Sequence, residues 1–563
     1  MKTDIYLDSN ATTDTLPAAR EAANRAMGDT YGNPSSTHSA GLRARAILND
    51  TRARACRLLG TGSGAMMFNS GATEGIQTAV LSALCSLRER RARGERTGSI
   101  LVYGATEHKA VPESLKHWNR VLGLDLEIRA LPVNGCGMHN LVELRALAAD
   151  AALVCTMAAN NETGAVSDLE GIAAALSGSD ALWLVDCVQA LGKISLHLSS
   201  TRIDYAPFSG HKLYAPKGVG MLYVRAGAPF TPLMIGGGQE NGMRSGTENM
   251  SGIAAMGAVL AELEEGSSFR SCAQLEQARK KLIASLLRAF PDVMINTPLN
   301  QSLPTTLNFT VPSIDSGTLL GVFDAAGIRV SAGSACSAAK ALPSYVLQAM
   351  GLPDWRSSNA VRISIGAATD DATIDAACSR IEQCAAALRI AFDNGAQADG
   401  IVRNGAICLD DNLPHANAVT APGGDANNVE PAGDTTKEQE QHVKVDPSLQ
   451  IGAAALPDFL EQRVETIIVD VRDPVEHAVS RLPASLVSAL NIPLSRLADA
   501  VPGWLALPER PPILFFCRSG NRSTSAAGLL RQLGYAPAFS LDGGLALAAP
   551  LLDATDKTYG EPA

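Results

Sequence analysis

The stretch Leu182-Trp183-Leu184-Val185-Asp186-Cys187-Val188-Gln189, with Ser209-Gly210-His211-Lys212 after it, decides how the larger part of the chain folds. Four apolar residues running into an aspartate read as a strand buried on both faces with an acid at its end, which is the pattern of a covered, parallel sheet. Similar runs recur at residues 99–103, 152–157 and Gly220–Val224, separated by amphipathic helical stretches such as the one around residues 172–176. This alternation, from residue 1 to about 390, predicts an α/β layered sheet with mostly parallel strands.

Around this core the chain is long: 563 residues exceed what one hydrophobic core serves, so several domains are expected. Apolar residues at 46% and charged residues at 18% describe an ordinary globular composition. A formal charge of −10 argues against a general nucleic-acid or membrane-surface binder and leaves small molecules and specific protein partners. The chain begins Met1-Lys2-Thr3-Asp4 without an apolar signal core. No later run approaches the roughly 18 apolar residues of a membrane span, so a cytoplasmic location is expected. Most of the eleven cysteines are then expected as free thiols. No C-x-x-C pair occurs, which argues against a structural zinc site, and no metal is expected. Cys155 reads as a small buried hydrophobe in a strand, and Cys56, Cys85, Cys272, Cys378 and Cys384 as packing residues of helices.

Residues 394–447 differ in kind, being rich in Asn, Gly, Asp, Pro and Glu. They cannot bury much apolar surface and read as a flexible linker with an r.m.s. span of roughly 35–40 Å by random-coil scaling. A second α/β pattern begins near Leu456, with strands at residues 466–471 and Ile513–Phe516.

The chemistry starts at Phe68-Asn69-Ser70-Gly71-Ala72-Thr73-Glu74-Gly75-Ile76, where small residues join a strand to an apolar helix. Unpaired N–H groups at a helix start suit a phosphate, although many such turns bind nothing. Asp186 at its strand end could equally be a helix cap, and Lys212 an exposed lysine. Taken together they become specific, because pyridoxal phosphate needs a lysine for its aldehyde, an acid for its pyridine nitrogen and donors for its phosphate. Lys212, Asp186, and Ala72-Thr73 with Ser209 and His211 supply that set, and His108, which follows a strand, could stack on the ring.

At this point residues 1–390 resemble the cysteine desulfurases, within the aminotransferase class V fold of pyridoxal-phosphate enzymes. The resemblance is carried by Tyr6-Leu7-Asp8-Ser9-Asn10-Ala11-Thr12-Thr13, Tyr31-Gly32-Asn33-Pro34-Ser35-Ser36 and Gly71-Ala72-Thr73-Glu74. It continues through Asn160-Asn161-Glu162-Thr163-Gly164, Asp186 with Gln189, Ser209-Gly210-His211-Lys212 and Arg244-Ser245-Gly246-Thr247-Glu248-Asn249. It implies a large domain over about residues 16–255, and a small domain made of the N-terminal residues with about 256–393. It further implies that Asn161 and Gln189 contact the cofactor ring, and that Arg362 grips the substrate carboxylate. Thr247 would reach the phosphate in the other subunit of a homodimer. Two departures are Cys187, where a small apolar residue is usual, and Ala367-Ala368, where Arg-Phe is expected.

Ser331-Ala332-Gly333-Ser334-Ala335-Cys336-Ser337 is small and polar, the composition of a mobile surface loop. It resembles the family's S-x-G-x-A-C-[ST] loop. The resemblance implies that the Cys336 thiolate attacks the sulfur of L-cysteine, leaving alanine and a Cys336 persulfide. Lys212 would take the α-proton and His108 would serve later proton steps.

In the second pattern, Ile513-Leu514-Phe515-Phe516 delivers Cys517 to the loop Arg518-Ser519-Gly520-Asn521-Arg522, with a helix beginning near Ser523. Loop N–H groups, the helix dipole and the arginines would favour a thiolate and hold a developing anion. Residues 448–552 resemble a rhodanese, through this loop, Asp470-Val471-Arg472 and Leu541-Asp542-Gly543-Gly544, and leave 553–563 as a tail. The tryptophan common after the glycine pair is missing, which implies looser C-terminal packing. A phosphatase of the C-x5-R type is the rival, but its arginine position is Ser523 here.

The fusion predicts a relay from Cys336 to Cys517 and on to a sulfur-acceptor protein or small thiol, in iron–sulfur assembly, tRNA thiolation or another sulfur-transfer route. A selenocysteine lyase, or a rhodanese domain used only for docking, are the alternatives.

Overall fold

The computed structural model describes residues 4–266, 268–332, 343–399, 447–479, 486 and 488–548. They fall into two compact units divided between Ala386 and Ala387. The long helix Asp371–Asp399 runs past the sequence-based boundary at 393.

The first unit is built on a seven-stranded sheet whose spatial order is Ala65–Asn69, Gly220–Val224, Tyr205–Ser209, Leu182–Asp186, Ala151–Met157, Ile100–Gly104 and Glu127–Leu131. Only Gly220–Val224 opposes its neighbours; the remaining strands share one direction, as their apolar runs predict. Trp183 is fully buried at the sheet's centre, and its indole N–H donates to Thr156 Oγ1 at 2.9 Å, which removes the cost of enclosing a polar nitrogen. The carboxyl ends of these strands deliver Asn69, Asp186 and Ser209 to one edge, where an open α/β sheet binds ligands. At that edge Gly220 is required by space: a Cβ there would stand 2.5 Å from the Phe208 carbonyl oxygen and 2.6 Å from Gly71 Cα.

A second, antiparallel sheet of Ser331–Ala332, Ala360–Ser364, Thr306–Thr310 and Met294–Ile295 carries Arg362. The N-terminal segment crosses to it: Ile5–Tyr6 pairs with Ile328–Arg329, and the Asn10 N–H donates to Ser364 Oγ at 3.0 Å. Residues 8–13 are thereby held against both the small sheet and the Lys212 turn.

The second unit holds a five-stranded parallel sheet in the order Gln450–Ile451, Ala538–Leu541, Ile513–Phe516, Ile467–Asp470, Leu490–Asn491. Ile513–Phe516 is central and wholly buried, and Cys517 ends it. The helix after the loop is Asn521–Gln532, starting two residues earlier than the sequence pattern suggests, because Gly520 at φ 92° turns the chain directly into it. Despite the missing tryptophan, Ala548 is fully buried. Among the described residues, no helix is long and apolar enough to cross a membrane.

Candidate active site

In the first unit, a cavity of about 560 Å³ opens at the carboxyl edge of the large sheet. Ala72, Thr73, Ser209, His211 and Lys212 line it, as do His108, Asn161, Asp186, Gln189 and Arg362. Ten side chains or turns singled out along the sequence therefore share one space. Thr247 does not line this cavity; it stands just before the helix Met250–Glu265. Cys336 and Cys408 lie outside the described residues.

Lys212 reaches the cavity from the short turn Gly210–Lys212 that follows the strand Tyr205–Ser209. Its Nζ donates to the carbonyl oxygens of Asn10 and Ala11, each at 2.7 Å, so the N-terminal segment aims it. Asp186 is buried and accepts the Val188 N–H at 2.9 Å; burial raises its carboxyl above the ordinary range, while that N–H, His108 and Lys212 pull the other way. Burial lowers His108, partly offset by Asp186 and reinforced by Lys212 and Lys109. A His108 so placed is neutral at pH 7 and its ring can accept a proton. His211 is pushed down to about 4 by burial, then by Lys212 and Lys217, and its Nδ1 lies 3.2 Å from Thr12 Oγ1.

The helix Ala72–Ala92 begins at Gly71 with no side-chain cap, so its first N–H groups face the cavity without a competing hydroxyl or carboxylate from the cap position. Glu74 braces the turn, accepting the Ser70 N–H at 2.9 Å and Arg244 Nε at 3.1 Å. Arg362 is 1% exposed; it donates to Asp8 Oδ1 at 2.5 Å and to the Asn161 carbonyl at 3.0 Å, while its buried Nε has no acceptor among the described residues. A buried guanidinium with a donor to spare suits a carboxylate.

An enclosed acid, a lysine and an uncapped helix start with Ser209 beside it are the set pyridoxal phosphate needs, and the residues present fit that group. Asp186 would face the pyridine nitrogen, Lys212 the aldehyde, and the start of Ala72–Ala92 the phosphate.

Sequence reasoning passed over several groups that the fold brings here. Asn10 was only part of a motif, yet its Nδ2 donates to the Asn161 carbonyl at 3.1 Å and to Thr306 Oγ1 at 2.9 Å. Glu162, pushed up to about 7 chiefly by burial, accepts Ser344 Oγ at 2.6 Å. Tyr345 lines the cavity and its hydroxyl donates to the Glu107 carbonyl at 2.7 Å. Lys193 stands four residues beyond Gln189 and bonds its side chain. Apart from the Lys193–Gln189 pair, these contacts join residues far apart in sequence, and no local pattern carries them.

In the second unit, Cys517 is 1% exposed, and the Gly520 N–H points at its Sγ from 3.2 Å. Ser523 Oγ lies 3.6 Å from that sulfur. Arg522 is turned away from the expected role of holding an anion alone: it donates to Glu476 Oε2 at 2.7 Å and Oε1 at 2.9 Å, and to Asp473 Oδ2 at 3.4 Å. Two acids close by capture a guanidinium more firmly than an empty loop does. The glycine pair closes the loop from behind. A Cβ on Gly544 would stand 2.3 Å from the Cys517 carbonyl oxygen, and the Leu545 and Ala546 N–H groups donate to the Cys517 and Arg518 carbonyls at 2.9 Å each.

Residues 5–377 match the aminotransferase class-V family model and residues 454–547 the rhodanese-like domain model. The cysteine desulfurase of Trichormus azollae is 39% identical over 372 residues, which is 66% of this chain and 90% of that protein. A solved structure of a NifS-like protein aligns with a TM-score of 0.59 and 33% identity, over 68% of this chain and 99% of that one. The structure of SspA in complex with cysteine aligns with a TM-score of 0.56 and 25% identity, over 65% of this chain and all of that one, 100%.

Proposed function

Since the chain belongs to the aminotransferase class-V family and, within it, to the pyridoxal-phosphate-dependent cysteine desulfurases, we propose that it moves sulfur in two stages, from L-cysteine to Cys336 and from Cys336 to Cys517. The convergence of Lys212, Asp186 and Arg362 on one cavity, in a chain that also carries a rhodanese loop, is the observation behind this reading.

Bound pyridoxal phosphate supplies an electron sink for the substrate's α-carbon. Arg362 orients the substrate by its carboxylate, with Asn161 beside it. Lys212 takes the α-proton, and His108 exchanges protons in the later steps. The Cys336 thiolate attacks the substrate's sulfur, forming the S–S bond as the C–S bond breaks, so that alanine leaves after protonation and the sulfur stays as a persulfide. Cys517 then attacks the outer sulfur of that persulfide, and Cys336 departs as a thiolate. The Gly520 N–H, set toward Cys517 Sγ, favours the anionic product. Thr247, in this reading, completes the phosphate site of a second subunit, and an acceptor protein or small thiol discharges Cys517.

Arg362→Lys is expected to raise the KM for L-cysteine about tenfold or more while kcat falls less, because a lysine cannot make the bidentate contact. Steady-state alanine production measures both, and an unchanged KM counts against the carboxylate role.

Peptide mass spectrometry after L-cysteine addition, with persulfides trapped by alkylation, tests the relay. Persulfide on both Cys336 and Cys517 is the expected result. Persulfide confined to Cys336 at all times removes the second stage and leaves the rhodanese domain a docking module.

A further inference from the structure

Lys193 is a buried titratable group that the reaction outlined above does not use. Its stem is partly exposed, but its ammonium end turns inward, donating to Asn10 Oδ1 at 3.2 Å and to Gln189 Oε1. Gln189 answers with its own amide nitrogen, which donates to the Asn10 carbonyl at 3.1 Å. That same carbonyl accepts Lys212 Nζ at 2.7 Å. Two lysines of one charge are thus tied to a single asparagine, one through its side chain and one through its backbone. A buried second amine with no carboxylate among its described partners is costly.

We propose that Lys193 is a positioning residue of the cofactor site, fixing the Gln189 amide with its ammonium and setting a second positive charge across Asn10 from Lys212. A like charge nearby disfavours the protonated amine, which is how a lysine is prepared to react with an aldehyde. The influence is mutual: burial first, then Lys212 and Arg362, bring Lys193 itself down to about 7. Among the described residues, Asp186, His108 and His211 interact with Lys212, Arg362 is held by Asp8, and Lys109, Lys217, Glu162 and Glu74 line the same cavity. The effect is therefore largest below about pH 7, where Lys193 carries its charge.

The inference rests on Lys212 carrying the cofactor, and the two are tested separately. Lys212 is checked by borohydride reduction and peptide mapping of the full-length holoenzyme; cofactor fixed to another residue overturns that reading alone. Lys193 is checked by titrating the visible absorption of the bound cofactor against pH. Lys193→Met and Lys193→Gln are expected to move the midpoint upward by about one unit, since both remove the charge. Lys193→Arg keeps the charge at every pH, so its midpoint should not rise above the parent's. The glutamine variant keeps a donor toward Asn10 and decides the matter where the methionine variant does not fold. A midpoint unmoved in Lys193→Gln at full cofactor loading, or displaced equally in Lys193→Arg, overturns the proposal.

Discussion

Lys212→Ala should lower alanine formation by at least about 10²–10⁴-fold, the span expected when a positioned proton-transfer group is removed, and further if covalent attachment is lost with it. The carbonyl oxygens of Asn10 and Ala11 that aim the amine would remain, but among the described residues no other amine bonds those two carbonyls, Lys193 reaching only the Asn10 side chain. Asp186 and the start of the helix Ala72–Ala92 are unaffected, so the cofactor still binds, only reversibly. Dialysis should strip it from the variant and leave it on the parent. The two readouts are cofactor content after dialysis and alanine produced from L-cysteine. Retained cofactor together with activity within tenfold of the parent would place the attachment and the base elsewhere.

Cys336→Ser should abolish sulfide release over many turnovers, to about the background of the cofactor with free cysteine, while the visible absorption of the bound cofactor persists. The reason lies as much in the other thiols as in Cys336. Cys187 follows Asp186 directly and is the thiol best placed by sequence to substitute. It is fully buried, and burial, with the Asp186 charge added, pushes it well above the usual thiol range. Cys155 is enclosed in the sheet and raised in the same way, with Glu107 as the second cause. Neither offers an accessible thiolate near pH 7. Sustained sulfide production by the serine variant, followed by amperometry or a colorimetric sulfide assay, would sink the assignment of Cys336 and return attention to Cys187.

The large sheet was legible because its inner strands are apolar runs, and Leu182–Asp186 and Gly220–Val224 have the predicted bounds, whereas the edge strand Glu127–Leu131 is not such a run. Asp186 and Lys212 were legible because cofactor chemistry demands residue types that a strand end and a tight turn present in order. The antiparallel sheet carrying Arg362 left little local trace, since Ser331–Ala332 and Met294–Ile295 are two-residue strands defined by their partners. Lys193 and Glu162 were illegible for the same cause. Each is an ordinary surface type in an ordinary turn until Asn10 and Ser344 arrive from far along the chain. The Arg522 pairing needed Glu476 and Asp473, 46 and 49 residues upstream, to be brought beside the loop.

The backing of the Cys517 loop by Gly544 bears on how this domain can diversify. Two successive carbonyls, the first pressed against a residue with no side chain and each held by one N–H group, leave the loop no room to take on an extra residue. Lengthening it toward the span that grips a tetrahedral oxyanion would first require the strand end at Leu541 and the turn after it to retreat. The choice between sulfur and phosphorus chemistry is thus written partly in a pair of glycines behind the loop, and a laboratory evolution campaign confined to positions 518–522 would leave that constraint untouched.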